Sequence, residues 1–511
     1  MRKPSSLVKL SAFALALASL TSCEDVLEQY FPKNGNGDDK PVSSQDIPFY
    51  ALSGGVTLDL YSTKNPARSS ASTAISGLQS GEKLLGIDFR PATGQLYGIG
   101  STSRLYVINP VTGAARAIGS GPITPALEGD MVAFDFNPTV DRIRVVTSTG
   151  QNLRLNPETA AGTIVDGGIN GVPGAGITGA AYTNSVAGAS ATVLYDLDPA
   201  TNTLYRQDPP NNGTLVAVGE LKVDISGNGG FDIDAKTGTA LALYDVNGKP
   251  TLFTVDLATG STKTLVKYDN NAAYTGLAIP TQSVAYAVSA NNLLIFNPTN
   301  PSAVVTKPIT GLAAGDNVLG LDFRPVNGQL YALGSGSRLY TINASSGAAA
   351  TVATLSTTLA GTSFGFDFNP VVDRIRIISN TGQNLRVNPA DGVAIVDGSL
   401  NPGSPSVSAA AYENNFAGTT ATSLFVIDYT TDKLYLQNPP NNGTLVEIGN
   451  LGINAEAANG YDIGGTSNTG YAILTASGAT KLYSVNKSSG AVTALGDFGS
   501  TVNGFTVGLG F

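Results

Sequence analysis

The chain of 511 residues carries 29 basic and 38 acidic side chains, a net charge of −9, and only 13% of its residues are charged. An acidic chain without a basic tract has no electrostatic footprint for nucleic acid. It contains no histidine, no tryptophan and one cysteine, which excludes an imidazole base, a Ser-His triad, a histidine metal site and a disulfide within the chain.

The N-terminus reads as an export signal over residues 1–22. Arg2, Lys3 and Lys9 form the positive region and Leu10 to Leu20 a short apolar one, too short to span a bilayer comfortably. It ends in Leu20-Thr21-Ser22-Cys23, which resembles the lipobox of bacterial lipoproteins. That resemblance implies lipidation of Cys23, removal of the preceding peptide and stable attachment to a membrane through several acyl chains. Glu24 and Asp25 follow, similar to surface-export signals of Bacteroidetes-type lipoproteins. The expected location is the bacterial cell envelope, outside the cytoplasm, at the outer membrane and its surface. Residues 23–46, rich in Gly, Pro, Asn and charge, read as a solvated tether.

The remainder is a tandem duplication. "LLGIDFRPATGQLYGIGSTSRLYVIN" from Leu84 matches "VLGLDFRPVNGQLYALGSGSRLYTIN" from Val318, and "FDFNPTVDRIRVVTSTGQNLRLNP" from Phe134 matches "FDFNPVVDRIRIISNTGQNLRVNP" from Phe366. The offset stays between 230 and 234 along both halves. Within each half a finer unit of about 45 residues recurs, with four short strands separated by turn signals, the pattern of a propeller blade. In the first such unit an apolar run carries Asp88. Strands at Gln95 to Ile99, Arg104 to Asn109 and Ala114 to Gly119 follow, and "NPVTG" joins the last two. Further blades are expected to start near Met131, Ile177, Gly229 and Thr275, and near Val318, Phe364, Val407 and Asn459.

The fold expected is therefore all-β, two tandem five-bladed propellers over residues 47–280 and 281–511, with one ten-bladed ring as the alternative. Two segments, Pro48 to Ser62 and the one after Ser283, lack a first strand, while Thr275 to Ile279 and Gly504 to Phe511 are first strands without a blade. Two small rings result if each lone strand returns to its own half. One large ring results if the last strand returns to the beginning of the chain.

"LYRQDPPNNGTLV" from Leu204 and "LYLQNPPNNGTLV" from Leu434 differ at two positions in thirteen. Proline pre-sets the first corner of a turn and glycine closes it in the left-handed region, so turn geometry is a sufficient reason for the match. The first-strand aspartates Asp88, Asp135, Asp232, Asp322, Asp367 and Asp462 would line a central channel. Their expected role is to accept hydrogen bonds from turn amides or from an arginine of their own blade, the alternative being a ring of carboxylates that binds a cation or serves as acid and base. The candidate ligand site is the polar second blade of each half: Asp141, Arg142, Arg144, Asn152 and Arg154, with the copies Asp373, Arg374, Arg376, Asn384 and Arg386. Such residues form either a fixed ion-pair network or a cradle for an anion. No cofactor, metal site or catalytic residue is expected. A carboxylate-based glycan hydrolase is the chemical alternative, but tryptophan platforms are missing and Glu128 faces an alanine-rich stretch in the other half.

The duplicated runs, "FDFNP…DRIR…GQNLR" above all, resemble the bacterial domain-of-unknown-function family 4394, present twice. The resemblance implies an exported bacterial protein of propeller-like fold and brings no assigned activity. The reading that follows is a lipid-anchored extracytoplasmic binding or scaffold module. Its partners are the membrane, an envelope protein or a glycan; a purely structural envelope component is a further alternative.

Overall fold

The computed structural model describes residues 44–269, 272–457 and 459–511. The expected signal peptide, Cys23 and nearly all of the expected tether lie outside the described residues. Within them no helix is long and apolar enough to cross a membrane.

Among the described residues forty strands make ten four-stranded antiparallel sheets. In the sheet of Leu84–Phe89, Leu96–Gly100, Leu105–Ile108 and Ala115–Ile118, each strand pairs with the next through a tight turn. The first strand is buried along its whole length, whereas the fourth is buried only at Ile118. A strand covered on both faces reads as continuously apolar, and an outer strand keeps small or polar residues on its open side.

Ring closure is decided by two pairings. Tyr274–Ala278 hydrogen-bonds to Pro48–Ser53, with Tyr50 opposite Ala278 and Leu52 opposite Gly276. Gly504–Val507 hydrogen-bonds to Ala285–Ser289, with Ala285 opposite Val507. Each half thus completes its own first blade with its own last strand, giving two five-bladed propellers and not one ring of ten. The inner strands crowd round each axis. A Cβ built on Gly230 would stand 2.0 Å from the backbone nitrogen of Leu277, so only glycine allows the fifth blade to meet the first.

The core lies between blades. Tyr97, Phe134, Phe136, Ile143, Val145 and Leu153 form one such layer, with Tyr97 and Phe136 edge-to-face at 5.3 Å. The second ring repeats the contact with Tyr331 and Phe368 at 5.2 Å. Each such fully buried side chain is worth about 1.5–3 kcal/mol against exposure.

Candidate functional site

Two kinds of polar cluster stand out, one on the axis of each ring and one between its third and fourth blades. On the axis, Asp88, Asp135 and Asp232 each bring a carboxylate oxygen within 4.8 Å of the other two, and Asp322, Asp367 and Asp462 do the same in the second ring. All six are buried. Their partners are not those expected from the sequence. Asp88 accepts the Phe136 N–H at 2.8 Å, Asp135 that of Tyr182 at 3.0 Å and Asp232 that of Ile279 at 2.6 Å, each from the inner strand of the next blade. Phe368, Tyr412 and Val507 donate in the same way to Asp322, Asp367 and Asp462. The aspartates therefore clasp neighbouring blades, because an inner strand leaves these amides facing the axis and buried amides need acceptors.

Burial raises the pKa of all six, and the negative charge of neighbouring aspartates raises Asp88, Asp135, Asp322 and Asp367 further. Burial pushes Asp232 up to about 7 and Asp462 to about 6, against the pull of their backbone hydrogen bonds.

The Asp/Arg candidates divide into two groups. Asp135, Arg144 and Arg154 stand in register across the third blade. Arg144 is buried and gives Nε to the Tyr182 hydroxyl at 3.3 Å, Nη1 to Asn152 at 2.7 Å and Asp166 at 2.6 Å, and Nη2 to Asn211 at 2.7 Å. Arg154 grips Asp166 with two bonds of 2.7 and 2.8 Å, and Asn152 donates to the carbonyls of Gly167 and Pro210. In the second ring Arg376 reaches Tyr412, Asn384, Asp397 and Asn441, and Arg386 grips Asp397. Burial raises the Asp166 carboxyl, but the hydrogen bonds and charges of Arg154 and Arg144 outweigh it and hold the group below its ordinary value.

Asn211 and Pro210 belong to the repeated proline-rich loop of the fourth blade. That loop is a short 3-10 turn, Pro210–Asn212, closed by Gly213 at φ +70°. A Cβ on Gly213 would lie 2.4 Å from the carbonyl oxygens of both Gly167 and Gly168. The Asn211 carbonyl accepts the Gly167 N–H at 2.9 Å, and the Gly213 carbonyl accepts that of Asn170 at 2.8 Å. Turn geometry is thus only part of why the loop is duplicated. It is also seated on the preceding blade, and Arg144 is the peg.

Asp141 leaves this group for the junction between rings. Arg90, fully buried, pairs with Asp141 and with Glu158 at 2.8 Å, and donates Nη1 to the Gly328 carbonyl of the second ring at 3.0 Å. The Tyr286 hydroxyl reaches the Ala92 carbonyl at 2.9 Å, and the Gly510 N–H reaches that of Thr93 at 2.8 Å. Arg142 and Arg374 turn back onto the carbonyls of Asp141 and Asp373, and Asp373 is held by Arg324 at 2.8 Å.

Sequence reasoning missed Asp166, Asp397, Arg90, Glu158 and Asp196. The first two were signalled by "IVDG", present in both halves. Asp196 is fully buried and neither of its oxygens has a partner among the described residues; burial raises its carboxyl to about 8.

A family model, Domain of unknown function (DUF4394), matches residues 57–278 and again 292–506. The chain belongs to this family. The two DUF4394 copies fall one on each ring. No curated protein matches the chain. Among solved structures it is similar to PorZ, described as an essential bacterial surface component of the type-IX secretion system of Porphyromonas gingivalis. The two share 12% identity with a TM-score of 0.25, and the match covers 89% of this chain and 58% of that one.

Proposed function

We propose that the protein is a lipid-anchored, extracytoplasmic binding or scaffold module of the bacterial envelope, presenting the loop faces of two rigid rings to an envelope protein or a glycan. The observation that carries this reading is the state of the axes. Among the described residues the space at the middle of each axis is about 10 Å³, the size of one water. Inner-strand glycines and mostly apolar neighbours such as Phe134, Leu277, Phe366 and Phe505 line it. In the second ring a mouth of about 130 Å³ beside Ser408 and Asn459 is still below a ligand cleft. A small-molecule site is ordinarily a cleft of roughly 300–1,000 Å³. A glycan hydrolase needs two carboxyls facing such a cleft at about 5 Å or more, whereas the close carboxyls here are buried and held by backbone amides.

For the Arg/Asp cluster the geometry favours the structural role over the anion cradle. Four of the five N–H groups of Arg144 are engaged by protein atoms, so an anion would have to displace Asp166 or Asn211.

Two measurements test the proposal. Cys23→Ala should move the protein from the membrane to the soluble fraction, and unaltered partitioning would refute the anchor. Envelope glycan fragments should raise the melting temperature without being cleaved, a ligand at 100 times its dissociation constant adding about 2.7 kcal/mol. Release of shortened glycan would replace the module reading with the hydrolase.

A further inference from the structure

Three carboxylates packed within 4.8 Å and cut off from water cannot all be ionised unless something positive lies among them. Among the described residues no lysine or arginine takes that place. In the first ring the charged and titratable groups facing the triad are Asp196, behind Asp135, Asp234, near Asp232, and the Tyr182 phenol, none of them cationic. Arg144 stands opposite Asp135 in the strand pair, but its bonds go to Asp166, Asn152, Asn211 and Tyr182. In the second ring Arg376 is engaged in the same way, and the Tyr461 phenol is the further titratable neighbour.

Hydrogen bonding indicates where a proton would sit. Asp88 accepts N–H groups on both oxygens, from Phe89 at 2.7 Å and Phe136 at 2.8 Å; Asp232 does so from Ile233 and Ile279. In the second ring both oxygens of Asp322 and of Asp462 also accept hydrogen bonds. Asp135 and Asp367 each accept a single one, through Oδ1, and no donor among the described residues faces their second oxygen. A carboxyl with one oxygen free of donors is the member of a triad that can carry a hydrogen without a clash. Thr506 adds a second place. Its hydroxyl lies 2.9 Å from Asp322 Oδ1 and 2.8 Å from Asp462 Oδ2, and one hydroxyl hydrogen serves only one of those contacts.

We propose that each ring is clasped at its axis by a carboxyl cluster that retains a shared proton, carried by Asp135 in the first ring and Asp367 in the second, so that ring closure is a pH-sensitive device. The direction follows from the raised carboxyls. A group whose folded pKa lies above its unfolded value contributes stability that is full below the unfolded pKa and is lost as pH rises through the folded one. The loss therefore begins above the unfolded carboxylate value of about 4 and runs up through the folded values. Those lie well above the ordinary range for Asp135 and Asp367, and at about 7 and about 6 for their neighbours Asp232 and Asp462.

The test is urea unfolding of the full chain from pH 5 to 9, with the double variant Asp135→Asn and Asp367→Asn alongside. The asparagine keeps the Oδ1 acceptor and puts an N–H where the carboxyl hydrogen would be. The wild-type midpoint should fall as pH rises, and the variant should lose most of that fall while matching or exceeding the wild type at pH 8. Infrared spectra of the wild type provide a readout that survives a variant failing to fold: the C=O stretch of a protonated carboxylic acid should be present at pH 7 and vanish on alkalinisation. Absence of that band, or a midpoint independent of pH, overturns the proposal. So does a midpoint that calcium raises and chelator lowers at neutral pH, which would make the occupant a cation.

Discussion

Removing the Arg144 guanidinium tests most directly whether the polar third blade is a latch. In Arg144→Ala, Asp166 keeps only Arg154, which is itself 27% exposed, while Asn152, Asn211 and the Tyr182 hydroxyl lose a donor each. A charged hydrogen bond is worth about 1.5–3 kcal/mol and each neutral one about 1 kcal/mol. The sum, about 4.5–6 kcal/mol, overlaps the upper end of the roughly 3–5 kcal/mol lost when one partner of a buried ion pair is deleted, and the middle of that measured range is the expectation. At about 4 kcal/mol the melting temperature should drop by about 8–16 °C for a unit of this size. With 20 tyrosines and no tryptophan, the assay is near-ultraviolet circular dichroism of the tyrosine band during urea and thermal unfolding. Arg376→Ala, in the matching network of the second ring, should cost about as much. A loss below about 1 kcal/mol in either variant would refute the latch and return the cluster to the anion-cradle reading.

Gly213→Ala should cost more than the usual penalty of about 1–2 kcal/mol for a left-handed residue, because its Cβ meets two carbonyl oxygens. Gly227→Ala, at φ +73° with nothing within 4 Å, should cost only that penalty, and equal losses in urea melts would show that loop seating is unimportant. Asp196→Val installs the residue that the second ring has at position 426. It should stabilise by about 1–3 kcal/mol, since a buried carboxyl without partners is replaced by an apolar group. A destabilised Asp196→Val would instead show that Asp196 holds a bound group. Arg90→Ala should cost about 3–5 kcal/mol, leaving two buried carboxylates unpaired. Arg324→Ala, whose side chain is 21% exposed, should cost about 1 kcal/mol or less, and equal costs by calorimetry would refute the burial argument.

Much of this fold was legible because blades announce themselves locally. The expected strand from Arg104 to Asn109 is Leu105–Ile108, and the start near Phe364 is the strand Phe364–Asn369. Ring size was legible only as a choice: the lone strands at Thr275 and Gly504 fit one ring of ten as well as two of five. The usual range of roughly four to eight blades favoured two, and the pairings of Tyr274–Ala278 and Gly504–Val507 decide it. The site was legible only in part. Asp88, Asp135 and Asp232 could be named from their place in the repeat, yet their donors are amides of another blade, which no local pattern encodes. Asp166 lies on the far side of its sheet from Asp135, and the chain between them gives no sign that Arg144 serves both Asp166 and a loop near residue 211. Contacts across blades depend on ring curvature, and curvature follows from closure.

Differences between the copies show what each network is for. Arg144 and Arg376, the axial aspartates and the proline-rich loops are matched in both halves, and each of them joins one blade to the next within a ring. The Arg90–Asp141 pair also has its copy, Arg324–Asp373, but the environments differ. Gly328 of the second ring covers Arg90, and Glu158 stands beside it, whereas position 390, the counterpart of Glu158, is alanine. A guanidinium sealed from water loses its hydration and needs its N–H groups satisfied by protein acceptors; one that keeps a fifth of its surface open does not. Glu158 is therefore best understood as a consequence of packing two rings together. The substitution that distinguishes the halves at this position belongs to the junction, while the residues they share belong to the closing of each ring.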